Sequence, residues 1–183
     1  MSVARAACGL VLATLAGCSR ERVAARSGLE ISWSSADSLI GKGEWRGHAE
    51  AGWCEAEHRL TVFAARADTG AALLVVLPTL APRDSFPLVP ATDTSTAERA
   101  TLALRWPDDR ALLALASRDG RVRLIQVRPT LVATFDGTLA PLDSESELPP
   151  PSVRGRIEGV TVATGEAGCR LAGVGPPPRP GVP

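Results

Sequence analysis

Outside the first seventeen residues, apolar and polar positions alternate along the chain with period two rather than 3.6. Leu29, Ile31 and Trp33 alternate with Glu30, Ser32 and Ser34, and Leu60, Val62 and Ala64 with Arg59, Thr61 and the less regular Phe63. Leu102, Leu104 and Trp106 alternate with Thr101, Ala103 and Arg105, and Leu131, Ala133 and Phe135 with Val132, Thr134 and Asp136. Because successive strand side chains point to opposite faces, each run predicts a strand with one face on a core and one in water. Leu73 to Leu77 is continuously apolar, which predicts a strand covered on both faces. Near the end, Val153, Gly155 and Ile157 oppose Arg154, Arg156 and Glu158, and the apolar parity then shifts to Val160 and Val162. One extra residue in a strand produces such a shift, so a β-bulge is predicted there.

The punctuation agrees with strands. Asp119-Gly120 lies between Leu112–Arg118 and Arg121–Val127, which predicts a hairpin because glycine accepts positive φ. Asp68-Thr69-Gly70 predicts a turn between strands Arg59–Arg66 and Ala72–Leu77. Ser95-Thr96-Ala97-Glu98 fits a capping box and predicts a short helix from Thr96, while the alternation beyond Arg99 favours a strand. The fold class expected is all-β: a single antiparallel sandwich or barrel of about eight to ten strands after an N-terminal signal segment.

That signal segment is residues 1–17. Met1 to Arg5 is a short cationic start, and Ala6 to Leu15 an uncharged apolar run, too short for a bilayer that needs roughly 20 residues. It ends in Leu15-Ala16-Gly17-Cys18. These four residues resemble the lipobox of bacterial lipoproteins. The resemblance implies a diacylglyceryl group on the Cys18 thiol, cleavage before Cys18, and acylation, palmitate included, of the new amine. Two or more acyl chains hold a protein stably on a membrane where one does not. By the same resemblance Ser19, which is not Asp, favours the outer membrane. Residues 18–27 then form a polar tether with Arg20, Arg22 and Arg26, about 30 Å long if extended. Its arginines suit either anionic headgroups or plain solvation. Residues 28–174 form the all-β domain, and 175–183 a disordered tail with five prolines.

Composition narrows the function. Removing seventeen of 183 residues leaves 166, enough for one domain with a core. Arg5 leaves with the signal, so a balance of 20 basic and 20 acidic residues becomes a net charge of −1. That argues against nucleic acid, which needs a clustered basic face. There is no tyrosine and there are two histidines, so general acid–base chemistry lacks its usual side chain. Of four cysteines, Cys8 departs and Cys18 is lipidated, leaving Cys54 and Cys169. In an oxidising compartment a disulfide between them is expected, pinning the last strand to an early one.

Three groups invite chemistry. Asp68-Thr69-Gly70-Ala71 resembles the catalytic loop of aspartic proteases, in which two such loops bring two aspartates together. Arg66 stands where that family has an uncharged residue, and no second Asp-Thr/Ser-Gly is present, so the turn reading is preferred. His48, Cys54 and His58, with Glu50, Glu55 and Glu57, match no tight zinc spacing. No metal, cofactor or catalytic residue is therefore assigned. Trp33 and Trp106 share parity with apolar neighbours and are expected in the core. Trp45 and Trp53 lie in the glycine-rich, charged stretch Gly41–Glu57 and are the candidate binding surface. From Phe86 to Val162 the order of features resembles small all-β lipoproteins of bacterial envelopes. The expectation is a non-enzymatic, lipid-anchored module whose partner, besides the membrane, is an envelope protein, a glycan or a small apolar ligand. The alternatives are a structural envelope component or an aspartic-type hydrolase using Asp68.

Overall fold

The computed structural model describes residues 27–37, 40–95, 97–107, 112–142 and 149–173. The expected signal, tether and Pro-rich tail therefore lie outside the described residues, apart from Ser27. So does Thr96, the predicted helix start.

The strands are β1 (Gly28–Ser34), β2 (Lys42–Cys54), β3 (Arg59–Arg66), β4 (Thr69–Val76), β5 (Arg83–Pro87), β6 (Arg99–Pro107), β7 (Leu112–Gln126), β8 (Leu131–Pro141), β9 (Ser152–Val160) and β10 (Val162–Ala163); one helix follows, α1 (Gly165–Gly173). The path β1-β9-β8-β7-β6-β4-β3-β2 closes through a β1–β2 ladder, so eight antiparallel strands form a barrel. With β5 and β10 set aside, each strand pairs with the next in sequence, and β9 returns to β1 with Leu29 opposite Ile157; β10 pairs in parallel with β2 at Val162–Ala51. Closure removes the free edges that an open sheet would expose.

The period-two pattern builds the interior directly. Leu29, Ile31, Leu60, Val62, Leu73, Val75, Leu102, Leu115, Val122, Leu124, Ala133, Phe135 and Ile157 are all buried in one cluster. An eight-stranded barrel is just wide enough for side chains to fill, and apolar side chains fill this one. Glycine supplies room where an aromatic ring needs it. Gly155 pairs with Phe135 across β8–β9, and a Cβ on Gly155 would collide with the Phe135 ring.

The bulge predicted near residue 160 is present. Between the pairs Ala133–Ile157 and Leu131–Val160 the register shifts, and Gly159 sits at φ 68°. The predicted hairpin at Asp119-Gly120 is not formed. β7 runs straight through it for 15 residues, and the register against β8 shifts between Ser117 and Asp119. The glycine serves close approach rather than reversal: Gly120 faces Gly137 of β8, and a Cβ on Gly120 would lie 2.6 Å from the Gly137 Cα. Consequently the buried positions change parity along β7, from Leu115 and Ser117 to Val122 and Leu124.

Where β6 and β7 part, β5 enters. It pairs with the second half of β7 through Arg83–Leu124 and Phe86–Val122, and Leu88 bridges to Ala100 of β6. Leu73–Leu77 is not covered on both faces as predicted: Leu73, Val75 and Leu77 are buried, but Leu74 and Val76 are half-exposed on the barrel's outer wall.

Candidate functional site

The barrel has two ends. The upper end carries the Ala67-Asp68 turn, whose first residue is left-handed (φ 52°), between the paired Arg66 and Thr69. Trp33 and Trp45 lie towards this end, both half-buried and packed on the core. They owe their seats to glycines: a Cβ on Gly43 would strike the Trp33 indole, and one on Gly47 would lie 2.5 Å from the Trp45 Cη2. The Trp33 Nε1 donates to the Ile40 carbonyl at 3.2 Å. The Trp45 Nε1 is buried without a hydrogen-bond partner among the described residues. Beside the rings Ile31, Thr69, Gly70 and Leu104 enclose a void of about 10 Å³, at the lower limit for one water.

Trp53 is not on a surface as expected; it is 6% exposed and belongs to the core. Its neighbours explain the error. Gly43, Trp45, Gly47, Ala49, Ala51 and Trp53 share one parity of β2 and face inward, while Lys42, Glu44, Arg46, His48 and Glu50 are exposed. The stretch is a strand whose inward positions are small because indole rings occupy the space.

Cys54 and Cys169 form a disulfide across a sequence separation of 115. It does not pin the last strand, because Cys169 lies in α1. The helix lies against the outside of β2 and β3, where two glycines let backbones touch. A Cβ on Gly52 would lie 2.6 Å from the Gly168 carbonyl oxygen, and one on Gly168 would lie 2.6 Å from that of Ala163. Thr61 Oγ1 reaches the Ala172 carbonyl at 3.5 Å. Beyond α1 the outer wall over β4 and β6 continues with Ala72, Leu74, Val76, Thr101 and Ala103, half-buried and uncharged, between Arg99 and Arg105 at the two ends of the β6 face.

The lower end is where the chain enters. Ser27 sits against Gly159, its Cα 3.4 Å from where a Cβ there would lie. Across this end runs a groove of about 270 Å³ lined by Leu80, Val127, Arg128, Pro129, Val162 and Thr164. Val127 is 7% exposed, and Leu80 and Val162 pack on the core. Arg128, Pro129 and Thr164 are exposed. The sequence gives little sign of this groove, because its lining comes from three segments far apart in the chain, around residues 80, 128 and 163.

The remaining candidates are separate from one another. Asp68 is exposed on its turn, and it lies on the opposite end from His58, which is in left-handed conformation (φ 51°) with Nδ1 2.9 Å from the Pro78 carbonyl. His48 is exposed on the outer face of β2, and Cys54 is committed to the disulfide. Among the described residues no group of three or more His, Cys, Asp or Glu side chains is placed to hold a metal ion. Hydrogen bonds from Ser95, side chain first and backbone second, hold the Asp93 carboxyl below its ordinary range.

Charge is spread unevenly over the outer wall. Strands β1, β2 and β9 carry ion pairs Arg46–Glu30 and Arg156–Glu158, and β7 and β8 add Arg121–Asp136. These charges lie where a membrane-spanning barrel carries an apolar band. No helix among the described residues is long and apolar enough to cross a membrane. Cys18 lies outside the described residues. Compared with family models, curated proteins and solved structures, the chain matches none.

Proposed function

We propose that the chain is the precursor of a lipoprotein, cut before Cys18 and held on a membrane by acyl groups there, with the filled barrel as a non-enzymatic binding domain of the cell envelope. The observation that carries this reading is the position of Leu15-Ala16-Gly17-Cys18, directly behind a charged start and an apolar run. The Cys54–Cys169 disulfide supports it independently, since such bonds persist in exported compartments and are rare in reducing ones. Ser27, where the described chain begins, is nine residues beyond Cys18, so the tether sets the lower end of the barrel within about 30 Å of the anchor. Ser19 favours the outer membrane.

Because apolar side chains occupy the interior, recognition of an envelope protein, a glycan or an apolar ligand falls to the outer wall and the barrel ends. The stretch of outer wall over β4 and β6 from Ala72 to Val76, uncharged between Arg99 and Arg105, supports a protein partner as a second reading, that of a structural envelope component. The test of the anchor is incorporation of labelled palmitate in the native cell. Wild-type protein takes up label and fractionates with membranes, and Cys18→Ser takes up none. Equal labelling of both overturns the reading.

A further inference from the structure

We propose that the Cys54–Cys169 disulfide is a redox-sensitive latch: its reduction frees α1 from a barrel that stays folded, and uncovers the outward face of β2 and β3. The barrel does not need the helix. No residue of α1 belongs to the apolar cluster that fills the interior, and each strand of the closed ladder has its two neighbours without it.

The helix does need the bond. Three of its nine residues are glycine, a poor helix former, and helices shorter than about 12 residues are marginal in water on their own. Its buried residues are Gly168 and Ala172, which bring a single methyl group to the contact. The ion pair Arg170–Glu166, at 3.3 Å, lies within the helix and ties it to nothing else. Among the described residues the side-chain hydrogen bond between barrel and helix is the long one from Thr61 Oγ1 to the Ala172 carbonyl, 3.5 Å.

The bond is also reachable from one side. Cys54 is 2% exposed, but Cys169 is only half-buried, so a dithiol reductant meets the Cys169 sulfur first. One thiolate of the dithiol bonds that sulfur, the Cys54–Cys169 bond breaks, and the Cys54 sulfur leaves and takes up a proton. The second thiol then closes the reductant's own disulfide and releases Cys169 as a thiol. Two electrons and two protons pass to the protein.

Release of α1 strips the cover from Gly52, Cys54 and Thr61. A Cβ on Gly52 would meet the Leu171 Cβ as well as the Gly168 carbonyl, and Thr61 is buried although it points away from the core. Thr61 stands opposite Leu74 of β4, and Leu74 opposite Thr101 of β6. The uncovered face therefore extends the uncharged strip of outer wall.

The latch does not depend on the lipid anchor, so its test uses the full chain carrying Cys8→Ser and Cys18→Ser, which leaves Cys54 and Cys169 as its cysteines. The oxidised protein is incubated with excess dithiothreitol without denaturant, and amide exchange is followed by mass spectrometry. Both thiols should become titratable. Exchange over 165–173 should speed at least about tenfold, while β3, β4 and β8 stay protected at least about a hundredfold over unfolded chain. Reoxidation should restore the slow exchange, and adding Cys54→Ser and Cys169→Ser should give the fast exchange with or without reductant. A bond that resists dithiothreitol until the barrel is denatured, unchanged exchange over 165–173 after reduction, or loss of protection in α1 and the strands together each overturns the proposal.

Discussion

The hydroxyl of Ser117 accepts the amide hydrogen of Leu102 at 3.1 Å, at the point where their two strands part. The same hydroxyl donates to the Val89 carbonyl at 2.5 Å. The β6–β7 ladder ends at Ala103–Ala116, and the segment from β5 to Val89 occupies the gap beyond, with the Val89 amide donating to the Ala100 carbonyl at 2.8 Å. One buried side chain, 3% exposed, thus replaces the backbone bonds lost where a strand is inserted into the wall.

Ser117→Ala should cost about 1–3 kcal/mol, because it leaves the buried Leu102 donor and the half-buried Val89 acceptor without their partner. Chemical denaturation checks this, and Ser117→Thr, which keeps the hydroxyl, should recover part of the loss. A midpoint unchanged in Ser117→Ala would mean that water reaches the branch point.

Breaking the Cys54–Cys169 bond should cost on the order of 4–5 kcal/mol in the chain-entropy model, given the length of the loop it closes. The Cys54→Ser, Cys169→Ser double variant should show a lower urea midpoint than the oxidised wild type, and reductant should lower only the wild type. Thiol titration of native protein should find neither cysteine free.

Gly168→Val should lift α1 from the barrel, since its Cβ would press on the Trp53 and Ala163 carbonyls, which are backbone and do not move aside. Overpacking of this kind costs about 1–3 kcal/mol. Faster amide exchange confined to 165–173 and the adjoining part of β2 is the expected signature.

Gly155→Val should destabilise by a similar amount, about 1–3 kcal/mol, through collision with Phe135. Combined with Phe135→Ala, itself costing about 3–5 kcal/mol, the pair should cost less than the sum. Strict additivity in that double-mutant cycle would show that the ring does not lie over the glycine.

Strands with aliphatic inward positions were legible in the sequence. The expected Arg59–Arg66 is β3 residue for residue, and the parity shift at Val160 marks a real bulge. β2 was hidden because its inward positions include Gly43 and Gly47, so hydrophobic alternation did not register and Trp53 looked exposed. Asp119-Gly120 misled because the same dipeptide that allows a tight reversal also allows two strands to approach at Gly120 and Gly137. α1 was missed because three of its nine residues are glycine, poor helix formers that packing on Gly52 and the tie at Cys169 retain. The groove was least visible: residues 80, 128 and 162 meet only after the barrel closes.

The central claim is the anchored, processed form of the chain, and intact-mass analysis of the protein extracted from native membranes tests it most directly. The account predicts a polypeptide beginning at Cys18, heavier than its sequence by a diacylglyceryl group with or without an amine-linked acyl chain, and with Cys54 and Cys169 oxidised. A chain that retains residues 1–17, or one that begins at Cys18 with an unmodified sulfur, would contradict it.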